Sequence, residues 1–181
     1  RGSFGDDVIC GDDGNDRLNG ASGADQVDGG MGVDRLLGGD GSDILTGFFG
    51  ADEMFGGEGN DRLYGGDGLD FLGGRDGNDL LKGGGDRDLI NGGDGADDLY
   101  GGEGPDRMEG NVGRDRLFAG DDNDIANGGR GDDYVEGAGG DDRLFGWSGR
   151  DRLAGGGGFD RCAGGLGSDS ATGCEASSGI P

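Results

Sequence analysis

Aspartate recurs at every ninth residue from one end of the chain to the other, without a slip of phase. The series runs Asp7, Asp16, Asp25, Asp34, Asp43, Asp52, Asp61, Asp70, Asp79 and Asp88. It continues through Asp97, Asp106, Asp115, Asp124, Asp133, Asp142, Asp151, Asp160 and Asp169, nineteen positions in all. A repeat of fixed period decides the architecture before any local propensity is weighed. Five residues before each aspartate stands glycine in eighteen of nineteen units, Ala119 being the exception. Two residues before it stands glycine in seventeen, with Asp86 and Asp122 as exceptions. Two residues after it the side chain is always apolar or small, from Ile9, Leu18, Val27 and Leu36 to Leu144, Leu153, Cys162 and Ala171.

Composition alone points elsewhere. Glycine makes up 52 of 181 residues, Leu, Ile, Val and Phe together only 33, and the net charge is -24. Few large apolar residues and high charge define the disordered class, because burial cannot offset chain entropy. A disordered chain, however, has no reason to hold one phase over some 170 residues. The absence of histidine excludes His-dependent triads and His metal sites. Two prolines exclude collagen. No apolar run approaches the ~18–20 residues that a membrane helix needs. A chain this acidic repels nucleic acid and anionic membranes and attracts polyvalent cations. The expected partners therefore include polyvalent cations but neither nucleic acid nor an inserted membrane.

The unit reads G-G-x-G-x-D-x-U-x, with U apolar. It is complete in G-G-x-G-x-D at the units ending in Asp34, Asp43, Asp61, Asp70, Asp97, Asp106, Asp133, Asp160 and Asp169. This pattern resembles the RTX (haemolysin-type) calcium-binding nonapeptide repeats, over roughly residues 2–173. The resemblance implies an all-β fold, a right-handed parallel β-roll of about nine to ten 18-residue coils with calcium in the turns. Residues 1–173 would form the roll, and 174–181 a C-terminal cap or tail. Each nonapeptide would divide into a six-residue turn and a three-residue strand. In the strand, U points inward and its neighbours outward. One inward side chain in nine makes a low apolar content compatible with order. The small Ala126, Cys162 and Ala171 suggest looser packing toward the C-terminal half.

Turn glycines permit positive φ and close approach of backbone to an ion. Aspartate supplies a hard anionic oxygen and freed carbonyls supply neutral ones, a donor set that suits calcium. Magnesium wants a tighter octahedron and zinc prefers His or Cys. The candidate metal ligands are the nineteen aspartates and the leading glycines Gly29, Gly38, Gly56, Gly65, Gly92, Gly101, Gly128 and Gly155. Family geometry implies that each ion lies between turns one coil apart. Asp43 with Asp61, or Asp79 with Asp97, would then flank one ion. About 10–17 ions in two rows are expected, since nineteen turns leave seventeen such gaps. Metal binding would then be folding energy, and the metal-free chain would be disordered.

Several units depart from the pattern. Asp86 and Asp122 replace the second turn glycine, which reads as drift with weakened sites or as an extra ligand. Phe48, Phe49 and Trp147 place aromatic rings on turns. Arg17, Arg35, Arg62, Arg107, Arg116, Arg143, Arg152 and Arg161 each follow a motif aspartate, and turn carboxylates are their expected partners. A ligand-binding basic strip is the alternative. Leu37, Phe55, Phe71 and Leu89 point outward within about four coils, which suggests a docking face for another domain or protein.

Three cysteines leave at least one unpaired within the chain. Cys162 holds an inward position near the last coil and Cys174 follows the final repeat, so a disulfide between them would staple the open end. Cys10 lies some nine coils away, ~40 Å at ~4.8 Å per coil, beyond the ~7 Å between bridged Cα atoms. It pairs elsewhere or stays free. The first residue is Arg and no signal peptide pattern is present, as expected of a mature or truncated chain from an oxidising, calcium-rich exterior. Function follows as an extracellular calcium-binding structural module without a reaction: a stalk, a surface or adhesin-type element, or an accessory domain of a secreted carbohydrate-active enzyme or protease. No stretch breaks the repeat to build a cleft. An ice-binding solenoid would need a regular Thr or Asn array, and only Thr46 and Thr172 occur.

Overall fold

The computed structural model describes residues 1–178, and residues 179–181 of the expected tail lie outside the described residues. No helix occurs among the described residues. One parallel sheet of ten strands takes Val8–Cys10, Gln26–Met31, Ile44–Phe49, Arg62–Asp67, Leu80–Gly85, Asp98–Gly102, Arg116–Gly120, Tyr134–Gly139, Arg152–Gly157 and Ser170–Thr172. The other takes Arg17–Ser22, Arg35–Asp40, Glu53–Glu58, Phe71–Asp76, Leu89–Asp94, Arg107–Val112, Ile125–Arg130, Arg143–Ser148, Arg161–Leu166 and Ala176–Ser178. The chain alternates between them, so each strand pairs with the strand two further on, at a register of eighteen. Leu18 lies beside Leu36, Leu36 beside Met54, and Met54 beside Leu72. The fold is a parallel β-solenoid of about nine coils.

Side-chain direction follows the alternation of a strand. In Arg35–Asp40, Arg35 is exposed, Leu36 buried, Leu37 half-buried and Gly38 buried. The core is consequently a single file of inward residues between two sheets, from Leu18 to Cys162. Ile9 and Ala171, in the terminal coils, only pack against it from half-buried positions. Ala126 is 0% exposed and Cys162 3%, so the anticipated looser packing does not appear as exposure. The leading glycine of each unit also faces inward. At Ala119 a methyl group takes that place and joins the core.

The expected division into a six-residue turn and a three-residue strand is corrected. Most strands run six residues and the turns between them three, as in Gly23–Asp25 between Arg17–Ser22 and Gln26–Met31. Parallel pairing between coils persists through the first two motif glycines, as in Gly39 beside Gly57, although the backbone there is left-handed. Identical neighbouring coils bend together, so the ladder survives the bend. Non-glycine residues at such bends adopt the left-handed basin, Phe48 at φ 77° and Trp147 at φ 75°. Phe48 and Trp147 thus occupy the second-glycine slot, and Phe49 the position after it. Asp86 and Asp122 occupy the third, at φ 72° and 81°. Aspartate is among the side chains that tolerate this basin best.

Among the described residues, three of the eight outward arginines find carboxylate partners, and not the turn carboxylates expected. Arg35 pairs with Glu53 at 2.7 Å, Arg107 with Glu109 at 2.7 Å and Arg116 with Asp98 at 3.5 Å. All three carboxylates sit on strands. Only Arg114 and Arg150, which precede the motif aspartate, pair with a turn carboxylate, Asp132. Outward positions of adjacent coils stand side by side in a parallel sheet, which brings strand carboxylates nearer than turn ones.

At the C-terminal end Cys162 and Cys174 form the disulfide, with Cα atoms 6.0 Å apart. The last coil is shortened: Arg161 pairs with Ala176, a register of fifteen instead of eighteen. Cys10 is exposed and unpaired among the described residues.

Two glycines separate the backbone requirement from mere smallness. Gly68 has φ 138°, and a methyl group on it would overlap the carbonyl oxygen of Gly50. At Gly85 the nearest atom to an added methyl would be Asp67 Oδ1 at 3.8 Å. Gly68→Ala is expected to destabilise the calcium-loaded protein by at least about 1–2 kcal/mol. Gly85→Ala should stay within about 0.5 kcal/mol of the parent. Thermal unfolding of both variants in saturating calcium checks the difference.

Candidate metal centre

The motif aspartates fold back beneath the turns and form two ladders along the roll. The backbone N–H of Asp43 donates to Oδ1 of Asp61 at 2.8 Å, and the N–H of Asp61 donates to Oδ1 of Asp79 at 2.8 Å. The same bond joins every pair eighteen apart, from Asp7–Asp25 to Asp151–Asp169, seventeen bonds in all. From Asp25 onward each of these residues is buried.

The second carboxylate oxygen has no such partner. Oδ2 is buried and without a hydrogen bond at eighteen of the nineteen, from Asp16 to Asp169. Asp7 differs because its Oδ2 accepts the N–H of Ser3 at 2.7 Å. A buried carboxylate oxygen left unpaired is costly unless a proton or a cation completes it. The leading glycine makes room for it: a methyl on Gly38 would overlap Oδ2 of Asp43 and lie 2.7 Å from the carbonyl oxygen of Gly56, one coil on. Carboxylate and carbonyl oxygen therefore face the same gap between coils. The carbonyls of Gly29, Gly38, Gly56, Gly65, Gly92, Gly101, Gly128 and Gly155 all stand at such gaps. So do those of Gly47, Gly83, Gly110, Ala119 and Gly173, which the stricter motif passed over. The leading position alone would have found them.

Burial raises the carboxyl pKa values, opposed by the amide hydrogen bond and reinforced by neighbouring carboxylates. Asp70, Asp79, Asp97, Asp106, Asp133 and Asp142 rise to about 6. Asp61, Asp115 and Asp124 rise to about 7. Asp88 rises to about 8, burial being the largest cause and Asp106, Asp70 and Asp86 adding repulsion. These groups resist ionisation in the folded chain unless a cation faces them. The donors on offer are all oxygens. Among the described residues no three carboxylates or thiols converge on one point, so backbone carbonyls must complete any shell. Calcium accepts such a mixed set of six to eight oxygens, and the residues fit it.

Two further features escaped the sequence reading. Glu175 ends the second ladder: its Oε2 accepts the N–H of Asp160 at 2.6 Å, the place of the next motif aspartate. Its position beside Cys174 was the available signal. Where the residue before a motif aspartate is Asn, Asp or Ser, it can form an outer row of opposite sense. Asn60 accepts the N–H of Asn78 at 2.8 Å, and Asn78 accepts that of Ala96 at 2.7 Å.

Fold and ladders together define a parallel β-solenoid with carboxylates stacked in its turns. The family model for RTX calcium-binding nonapeptide repeats matches residues 1–27, 28–63, 37–72, 46–81, 73–108, 100–135, 109–144, 127–162 and 136–171. The chain belongs to that family, whose repeats bind calcium ions. No curated protein matches it at a significant level.

The raised pKa values set the pH response of the metal-free protein. A carboxyl whose folded value exceeds its unfolded 3.8 contributes stability below that value and loses it as pH rises through the folded one. In chelator, β-structure is expected to increase as pH falls from about 8 to about 5. Calcium affinity should fall over the same range, as protons compete for Oδ2. Circular dichroism in chelator at the two pH values checks the first point, and calcium titration the second.

Proposed function

We propose that calcium ions occupy the gaps along both ladders and act as the folding switch of an extracellular structural module. The observation that carries this reading is the row of buried Oδ2 atoms without partners, most of them beside a carbonyl of the next coil. The nineteen motif aspartates and the leading glycines Gly29, Gly38, Gly56, Gly65, Gly92, Gly101, Gly128 and Gly155 are the ligands. Roughly ten to seventeen ions follow from the seventeen gaps. Twelve would cancel the net charge of -24. Residues 1–173 act as one unit and the segment from Cys174 closes its end. A disulfide and a calcium requirement suit a secreted or cell-surface location.

In this reading the roll performs no reaction and serves as a stalk, an adhesin-type element or the accessory module of a secreted enzyme. Every motif carboxylate is committed to the ladders, which leaves none poised as a general acid. The repulsion between stacked carboxylates opposes order without metal, and neighbouring coils share each ion, so sites should fill cooperatively. The outward strip of Leu37, Phe55, Phe71 and Leu89 is the docking face for a neighbouring domain. Its rings lie 5.4 Å apart at Phe55 and Phe71, and Leu89 is 44% exposed. Arg75 and Arg35 already cover Phe55, at 4.6 and 5.6 Å, which narrows the free apolar surface to the Leu89 side.

Calcium titration at neutral pH after chelation should move the circular dichroism sigmoidally from coil to β. Native mass spectrometry should count about ten or more ions at saturation. Fewer than about five ions, or a full β spectrum in excess chelator with the disulfide reduced, would show the aspartates to be solubilising. Asp88→Ala should lower the count and blunt the cooperativity, because it opens one ladder at its most crowded point.

A further inference from the structure

We infer that the outer edge of the first sheet carries a binding groove for an extended, carboxylated polysaccharide. The groove has a volume of about 730 Å³ and is lined by Arg114, Arg116, Arg150, Arg152, Phe118 and Tyr134. Four of the fifteen cationic side chains of an otherwise acidic molecule converge here. Charge of that sign gathered at one place selects an anionic ligand.

The arrangement repeats with the coil. Along the turn edge, Arg114 and Arg150 flank Asp132; along the strand edge, Arg116 and Arg152 flank Tyr134. Each pair is two coils apart, ~9.6 Å at ~4.8 Å per coil. That spacing is comparable to a disaccharide of an extended chain running along the roll. Arg114 and Arg150 are oriented by Asp132, at 3.9 and 2.7 Å, yet both remain largely exposed. Arg116 stands over Phe118 with its guanidinium 5.3 Å from the ring centre, and Arg152 over Tyr134 at 6.0 Å. A guanidinium fork matches a carboxylate bidentately.

The aromatic rings distinguish a sugar from a bare anion. Tyr100, Phe118 and Tyr134 form a continuous file, with centroids 5.0 and 5.7 Å apart. Half-buried rings packed on one another, Tyr100 and Phe118 at an interplanar angle of 13°, offer a rigid row of ring edges against the apolar side of a pyranose. Lys82, 5.2 Å above the Tyr100 ring, extends the cation–aromatic alternation by a further coil. Asp115, Asp133 and Asp151 of the ladder border the groove. They would repel the ligand if ionised and bare, so binding belongs to the calcium-loaded state.

The test uses the calcium-loaded chain in low free calcium, with hexagalacturonate as probe and titration calorimetry as readout. Hexagalacturonate is expected to bind, and maltohexaose and hexaglutamate are not. Arg116→Gln with Arg152→Gln should weaken binding by about tenfold or more, the loss of charge-assisted contacts. Phe118→Ala should weaken it as well, whereas Arg17→Gln on the opposite sheet should leave it unchanged. Equal binding of hexaglutamate would make the occupant an acidic peptide and overturn the proposal. Undiminished binding in the double variant would do the same, as would no binding by the parent. The proposal rests on the reading of calcium in the turns, which neutralises Asp115, Asp133 and Asp151. Circular dichroism of each sample separates a failed groove from a failed fold.

Discussion

One hydrogen bond governs this molecule: a backbone amide of one coil donating to a carboxylate of the next. Repeated seventeen times, it satisfies one oxygen of each motif aspartate and leaves the other buried and bare. The ladder therefore does two things at once. It fixes the carboxylates in place with neutral donors, and it stacks like charges in a dry row where repulsion is strong. Order and charge are in conflict until a cation or a proton arrives. A thin core of one inward side chain per nonapeptide does little to offset that conflict.

The glycines follow from the same constraint. The leading glycine leaves space for Oδ2 of Asp43 and its equivalents, where a methyl would overlap it; only at Ala119 is a methyl accommodated, with the ladder continuing at Asp124. The turn glycine before the aspartate, Gly68 for example, is needed for its left-handed backbone against the carbonyl of the preceding coil. Phe48, Asp86 and Trp147 show what other residues do in left-handed slots. Their φ values settle at 72–77°, where glycines such as Gly57 and Gly77 lie near 131–135°. The repeat tolerates a substitution there by shifting the backbone, and the ladders continue past it.

The C-terminal end shows how an open solenoid stops. A tenth even strand arrives three residues early, and Glu175 with its longer side chain takes the place of the missing aspartate. The Cys162–Cys174 disulfide fastens this shortened coil to the core. Terminal repeats in solenoids are atypical because they must close an edge that every other repeat leaves to its neighbour.

The nine-residue period alone dictated most of the architecture. It marked the inward residues from Leu18 to Cys162, placed all nineteen aspartates on turns, and set the eighteen-residue coil. These are properties of one residue's direction along a strand, which a period of fixed phase specifies completely. The extent of the strands, the sense of the two polar ladders, the role of Glu175 and the partners of the arginines were decided by tertiary structure. So was the convergence of Arg114, Arg116, Arg150 and Arg152 with Phe118 and Tyr134 on one groove. Each depends on which atoms of residues eighteen apart, or fifteen at the end, come within bonding distance. Sequence spacing names the neighbours, but only the parallel register between coils brings donor to acceptor.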